Sequence, residues 1–223
     1  MLNCASCVLF EKCIASSLKG NELLEFEKII YFKAFKEGEI LYRENQKSNE
    51  LYIIKKGSIS LEHLNHDSQP IIMRIANSGE FLGLEVNSQN NHYLTAIFLK
   101  DSKICVVPKS FVEKISKCNQ LVPSKLVAEL LRIQEKIYKH FLIMISGNSE
   151  AKLAQALISL GKTDGVVSVT KEKIALMTGL TRETVSRILS RLNSRKIIQT
   201  LPRSVNILNS DELLKIISNI TKN

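Results

Sequence analysis

Cys4, Cys7 and Cys13 stand in the first thirteen residues, separated by two and then five positions, among the small and apolar neighbours Ala5, Val8, Leu9, Phe10 and Ile14. Thiolates at such close spacing suit a soft metal ion or an iron–sulfur cluster. Zinc takes the same donors, so the spacing alone leaves both open. Buried structural thiols are the plain alternative, but an N-terminal segment has little interior of its own to bury them in. The chain has five cysteines in all, an odd number, which argues against a disulfide framework.

A second group of residues suits a different chemistry. Between Thr170 and Ser194 the sequence predicts two short helices joined by a turn. Thr170 is an N-cap, Ile174, Ala175 and Met177 give an apolar face, and Gly179 falls where a sharp turn needs positive φ. Thr181 caps the second helix, whose buried stripe is Val185, Ile188, Leu189 and Leu192. Ala175, Gly179, Val185 and Ile188 together form a pattern that lets two helices cross closely. On the outer face Glu183, Ser186 and Arg187 are candidates for base edges: arginine for guanine, glutamate for cytosine N4, serine for either. Lys171, Thr181, Arg182, Arg191 and Arg195 are candidates for the phosphate backbone. From Lys171 to Arg203 eight Lys/Arg face two acids, a local +6 in a chain of +9. That concentration favours phosphate over the ordinary solvated helix face. Ile197–Thr200 and Val205–Ile207 then predict a β-hairpin wing.

Other elements must position these two groups. At 223 residues, with 44% hydrophobic and 24% charged residues, the chain has room for one large or two small globular domains. Phe141 to Ile145 is far too short an apolar run to span a membrane, and the absence of an export signal predicts a cytoplasmic protein. A helix is expected from Asn21 to about Phe32, followed by short strand-like runs to Val107 that suggest a small antiparallel roll. His63, His66 and His92 are expected in solvated loops near its turns. From Leu121 to Ser146 a long helix carries Leu126, Leu130, Ile133, Ile137, His140 and Met144 at alternating spacings of four and three, the seam of a parallel homodimer. Gly147-Asn148-Ser149 breaks it and caps the next helix.

A β-roll, a long helix and a winged helix-turn-helix in this order resemble the cyclic-AMP receptor family of bacterial transcription regulators. The N-terminal cysteines resemble its oxygen-sensing fumarate and nitrate reduction (FNR) branch. The resemblance implies an α+β fold with a cysteine-bearing segment over 1–20, a cyclic-nucleotide-binding-like roll over 21–120, a dimerisation helix over 121–146 and a DNA-binding domain over 147–223. It also implies a [4Fe-4S] cluster whose fourth ligand is Cys105, in Asp101-Ser102-Lys103-Ile104-Cys105-Val106-Val107-Pro108, while Cys118 has no counterpart. The stretch Leu180 to Arg187 matches the branch's recognition helix, with Glu183, Ser186 and Arg187 at its reading positions. Double-stranded DNA, a second copy of the chain and RNA polymerase are the partners so implied. Tyr93-Leu94-Thr95-Ala96 has leucine where cyclic-nucleotide members have arginine, which removes the strongest contact to a cyclic phosphate. A zinc-binding or thiol-redox regulator with a small-molecule effector in the roll is the alternative reading. No phosphate loop, zinc-protease or nucleophile-elbow motif points to an enzyme.

Overall fold

The computed structural model describes residues 4–66, 69–85, 91–162 and 165–221. The chain forms two compact units, Met1–Leu61 with Ala76–Gln134 and Glu62–Ile75 with Glu135–Asn223.

Along the chain, two 3-10 turns, Phe10–Lys12 and Ile14–Ser17, lead into α1 (Asn21–Ile29). Eight strands follow: β1 (Tyr31–Phe35), β2 (Ile40–Tyr42), β3 (Glu50–Lys56), β4 (Ser58–Leu64), β5 (Pro70–Asn77), β6 (Phe81–Leu82), β7 (Thr95–Phe98) and β8 (Ser102–Pro108). They make two four-stranded sheets, ordered β1-β8-β3-β6 and β2-β7-β4-β5. The helices α2 (Lys109–Cys118) and α3 (Leu121–Ser146) come next.

The near-continuous apolar runs of β3 and β8 are explained by burial on both faces. Tyr52, Ile54, Ile104 and Val106 join one core with Ile59, Ala96 and Phe98. The alternate residues Leu51, Ile53, Cys105 and Val107 join another with Ile14, Phe26, Phe111 and Val122. Cys105 thus lies on the face of the sheet that the N-terminal segment and the helices cover.

Three expectations need correction. The first helix ends at Ile29, and Phe32 lies in β1, directly paired with Cys105. The β-propensity of Tyr31 and Phe32, realised through pairing with β8, overrides the helical spacing. His92 is 1% exposed and stacks on Tyr42 at 3.6 Å between ring centroids, where a solvated loop residue was expected. His63 is exposed as expected but lies in the strand β4, and the foreseen hairpin tip at Asn65-His66-Asp67 reaches beyond the described residues at Asp67.

In the second unit, Asn148 caps α4 (Ser149–Gly161), its side chain accepting from Ala151 N–H at 2.9 Å. Then come β9 (Val166–Val167), α5 (Lys171–Thr178), α6 (Arg182–Ser194), β10 (Ile198–Thr200), β11 (Val205–Ile207) and α7 (Ser210–Thr221). The wing is a three-stranded sheet ordered β10-β11-β9, one strand more than the expected hairpin. Gly179 ends α5 with φ +65°, and nothing lies within 4 Å of where a Cβ would stand. The glycine is therefore required by backbone conformation and not by close helix crossing. Gly179→Ala should lower the stability of this unit by about 1 kcal/mol, the cost of a left-handed alanine, read as a lower urea midpoint with unchanged m-value.

Candidate metal centre and nucleic-acid interface

Cys105 is fixed by the sheet. It sits in β8 between Phe32 of β1 and Ile53 of β3, paired with both. The N-terminal segment brings the other three thiols to it through local turns: Cys7 N–H bonds Cys4 O at 3.0 Å, and Cys13 N–H bonds Phe10 O at 3.0 Å. Longer-range bonds hold the segment in place. Glu27 Oε1 of α1 accepts from Cys4 N–H at 2.6 Å. Lys125 of α3 donates to Glu11 O at 2.6 Å and to the Ser16 hydroxyl. Asn119 donates to Ser17 O at 3.0 Å.

The result is a cavity lined by Cys4, Cys7, Cys13 and Cys105 together with Phe10, Phe32 and Lys55, among others. The structure thus brings together all four sequence-predicted ligands. All four cysteines line this space; among the described residues no group of three or more His, Cys, Asp or Glu side chains closes on a single metal ion. Cys118, at the end of α2, is exposed and takes no part.

The electrostatics of the four cysteines favour neutral thiols. Burial, then the neighbouring Cys13, Glu27 and Cys7, push Cys4 up to about 11. Burial, then Cys13, Cys4 and Cys7, push Cys105 up to about 12. Cys13 is raised by burial, opposed by the Ala15 N–H that donates to its Sγ at 3.4 Å.

In the second unit Thr181 caps α6, its hydroxyl accepting from Thr184 N–H at 3.2 Å, so the helix begins where the sequence predicts. Val185, Ile188, Leu189 and Leu192 are buried, which turns Arg182, Glu183 and Arg187 outward, with Ser186 half-buried beside them. The phosphate candidates make more internal bonds than the sequence suggested. Lys171 Nζ donates to Ser186 Oγ at 3.0 Å. Arg182 pairs with Glu172 at 2.9 Å, and Glu150 of α4 holds Arg191 at 3.3 Å and Arg195 at 2.7 Å.

Comparison with known proteins bears on both units. The cyclic nucleotide-binding domain family matches residues 32–118, and the Crp-like helix-turn-helix domain family matches residues 151–216. The chain is 26% identical to the transcriptional regulatory protein btr of Bordetella pertussis, over 96% of this chain and 93% of that protein. It is 25% identical to the fumarate and nitrate reduction regulatory protein of Vibrio cholerae, over 96% of this chain and 90% of that one. Among solved structures, FixK2 from Bradyrhizobium japonicum superposes with a TM-score of 0.74 at 24% identity, covering 84% of this chain and 97% of that one.

The chain belongs to the Crp/FNR family. It is a DNA-binding transcription regulator, and α5 and α6 lie within its Crp-like helix-turn-helix domain.

For this Crp/FNR regulator the predicted dimer seam needs one change. Leu126 is 4% exposed and belongs to the core of its own chain, with Val122, Phe111 and Ile115. Among the other seam residues Leu130 and Ile137 are exposed, while Ile133, His140 and Met144 are half-buried, and burial lowers the pKa of His140. The exposed apolar stripe of α3 is offset by about one position: Val127, Leu131, Tyr138, Phe141 and Ile145. Sequence periodicity alone could not separate two apolar faces on one helix. Lys55, Phe32 and Phe10 were also missed as site residues, because only β-pairing and the cavity place them beside Cys105.

Buried thiols with raised pKa values bind protons more tightly folded than unfolded. Their stabilising effect is complete below the ordinary value of 9.0 and is lost as pH rises through about 11 and 12. The metal-free protein should therefore show a falling urea midpoint between pH 9 and 11. The slope should be shallower, but not flat, in a Cys4→Ala/Cys105→Ala variant, because the two thiols are gone while Tyr31, pushed up to about 12 by its hydrogen bond to Glu50, remains.

Proposed function

We propose that this regulator holds a [4Fe-4S] cluster on Cys4, Cys7, Cys13 and Cys105, responds to oxygen through it, and binds a palindromic site as a homodimer while the cluster is intact. The observation that carries the reading is the convergence of three thiols from the N-terminal segment with a fourth in β8 on a single cavity. The residues fit the group. Four cysteine sulfurs are the donor set such a cluster takes, and the Ala15 N–H on Cys13 Sγ is the kind of bond that tunes its potential. Similarity to a fumarate and nitrate reduction regulatory protein supports the same reading. When bound, the cluster supplies a centre that oxygen can attack and degrade.

The chain's own residues convert occupancy into DNA binding. Cys105 is immobilised in the sheet, so ligation draws Cys4, Cys7 and Cys13 toward it and loses their thiol protons. Lys125 then couples this segment to α3 through its bonds to Glu11 and Ser16. The apolar stripe from Val127 to Ile145 faces the same stripe of a second copy. Two copies related by a two-fold axis present two α6 helices to half-sites about one DNA turn, ~34 Å, apart. There Glu183, Ser186 and Arg187 read base edges while Lys171, Thr181, Arg182, Arg191 and Arg195 approach phosphate, and RNA polymerase is the further partner. A ligand that favours the dimer-competent state shifts the population toward it.

Anaerobically purified protein should be brown, contain about four iron and four sulfide per chain, and bleach in air. Cys105→Ala should abolish colour and operator binding together. A colourless protein carrying zinc would overturn the cluster, and a colourless variant with normal operator affinity would overturn the coupling. Leu131→Glu, at a position 60% exposed in one chain, should leave the fold intact and shift sedimentation from dimer to monomer, because a carboxylate buried unpaired in an apolar seam costs several kcal/mol.

A further inference from the structure

Lys55 lines the cysteine cavity, and among the described residues that line it no other charged side chain occurs. Its placement follows from the sheet. Phe32, Cys105 and Ile53 stand side by side across β1, β8 and β3. Side chains alternate along a strand, so Lys55 shares the face of Ile53. The register of β3 on β8 shifts between Ile54 and Lys56, an irregularity that re-aims the residue between them. Lys55 is half-buried, and its Nζ stands 4.4 Å from the centroid of Phe32, on the far side of Cys105. The side chain therefore spans the row with Cys105 between its stem and its resting place. The aromatic ring holds the ammonium through its negative face.

The charge matters to the site. Lys55 is the cation that lines the same cavity as Cys4 and Cys105, with its ammonium seated over Phe32, the residue paired with Cys105. Four thiolates bring four negative charges into a half-enclosed apolar cavity, more than the metal and sulfide core of a cluster neutralises. Net charge near a cluster sets both its retention and its potential.

We propose that Lys55, held on Phe32, is the positioning counter-charge of the four-thiolate site and governs how firmly the metal group is kept and at what potential it is reduced. This rests on the cluster reading above. A positive charge at the mouth stabilises the thiolate ligands and favours the reduced over the oxidised group. Phe32 prevents the ammonium from swinging out to solvent, and its partial exposure leaves the pair at the boundary where solvent enters.

The full chain reconstituted under argon is compared as wild type, Lys55→Met, Lys55→Arg and Lys56→Met, the last being exposed on the opposite face of β3. Iron and sulfide content, the rate of iron loss to a chelator and the midpoint potential are measured, with circular dichroism as the check on folding. Lys55→Met should load the group but release iron on the order of tenfold faster, the effect of removing one unit charge at close range in a partly buried site. Its potential should move to a more negative value. Lys55→Arg should restore both properties and Lys56→Met should match wild type. Wild-type values for Lys55→Met would overturn the inference with the cluster reading intact. So would equal effects from Lys55→Met and Lys56→Met, or failure of arginine to rescue. If Lys55→Met does not fold, Lys55→Gln takes its place under the same criteria. A colourless wild type that holds no iron would overturn both the reading and the inference drawn from it.

Discussion

The position of Cys105 in the middle of a hydrogen-bonded row is the constraint on which the rest of the first unit depends. β8 is paired on both sides, with β1 and with β3, so Cys105 cannot shift without breaking register with Phe32 and Ile53 together. The segment bearing Cys4, Cys7 and Cys13 has no such ladder. It is held by a few side-chain bonds, from Glu27, Asn119 and Lys125, and by burial of Ile14, Ala15 and Leu18. One rigid donor and three on a tethered segment suit a site whose filling is meant to change something. A site built entirely on the sheet would bind the group with no conformational consequence.

The same site sets two demands in opposition. Burial and the mutual proximity of the thiols raise the pKa of Cys4 and Cys105 and resist ionisation, while ligation requires the thiolate form. A metal group bound through these sulfurs, as proposed, has to overcome that resistance. Backbone donation to Cys13 from Ala15 and the ammonium of Lys55 reduce it locally.

Much of this was legible in the sequence for reasons that can be named. The caps Thr170, Thr181 and Asn148 are local chemistry, and each forms the bond its side chain predicts. The cysteine spacing is local as well, whereas Cys105 came from resemblance and its environment from the sheet. What the sequence did not disclose depends on long-range pairing. The strand at Tyr31–Phe35 looks like the end of a helix until β8 is there to pair with it, and β9 is too short to announce itself without β11. His92 lies in a loop as expected but reads as solvated, because nothing near it in sequence reveals Tyr42, the ring on which it stacks. Leu126 fits a heptad seam perfectly well by spacing, yet α3 carries two apolar faces and the core of its own chain takes that residue.

Charge counting along the recognition helix was the least transferable inference, and the structure explains why. The local excess of +6 treats every cation as available to phosphate. Arg182 is paired with Glu172, and Glu150, which lies outside the stretch that was counted, holds both Arg191 and Arg195. The arginine side chains are about half-exposed or more, at 65%, 53% and 46%, so solvent screens each pair and phosphate can compete for the arginines. Their release nevertheless draws on the energy gained from DNA, which lowers affinity for every sequence alike. Lys171 differs, because its partner Ser186 is itself a base-reading candidate, and the bond fixes the position of that hydroxyl. A lysine that orients a reading residue contributes to discrimination, whereas the arginines clamped by Glu150 bear on affinity. The separation of those two roles follows from which acid or hydroxyl each cation touches and not from how many cations the helix carries.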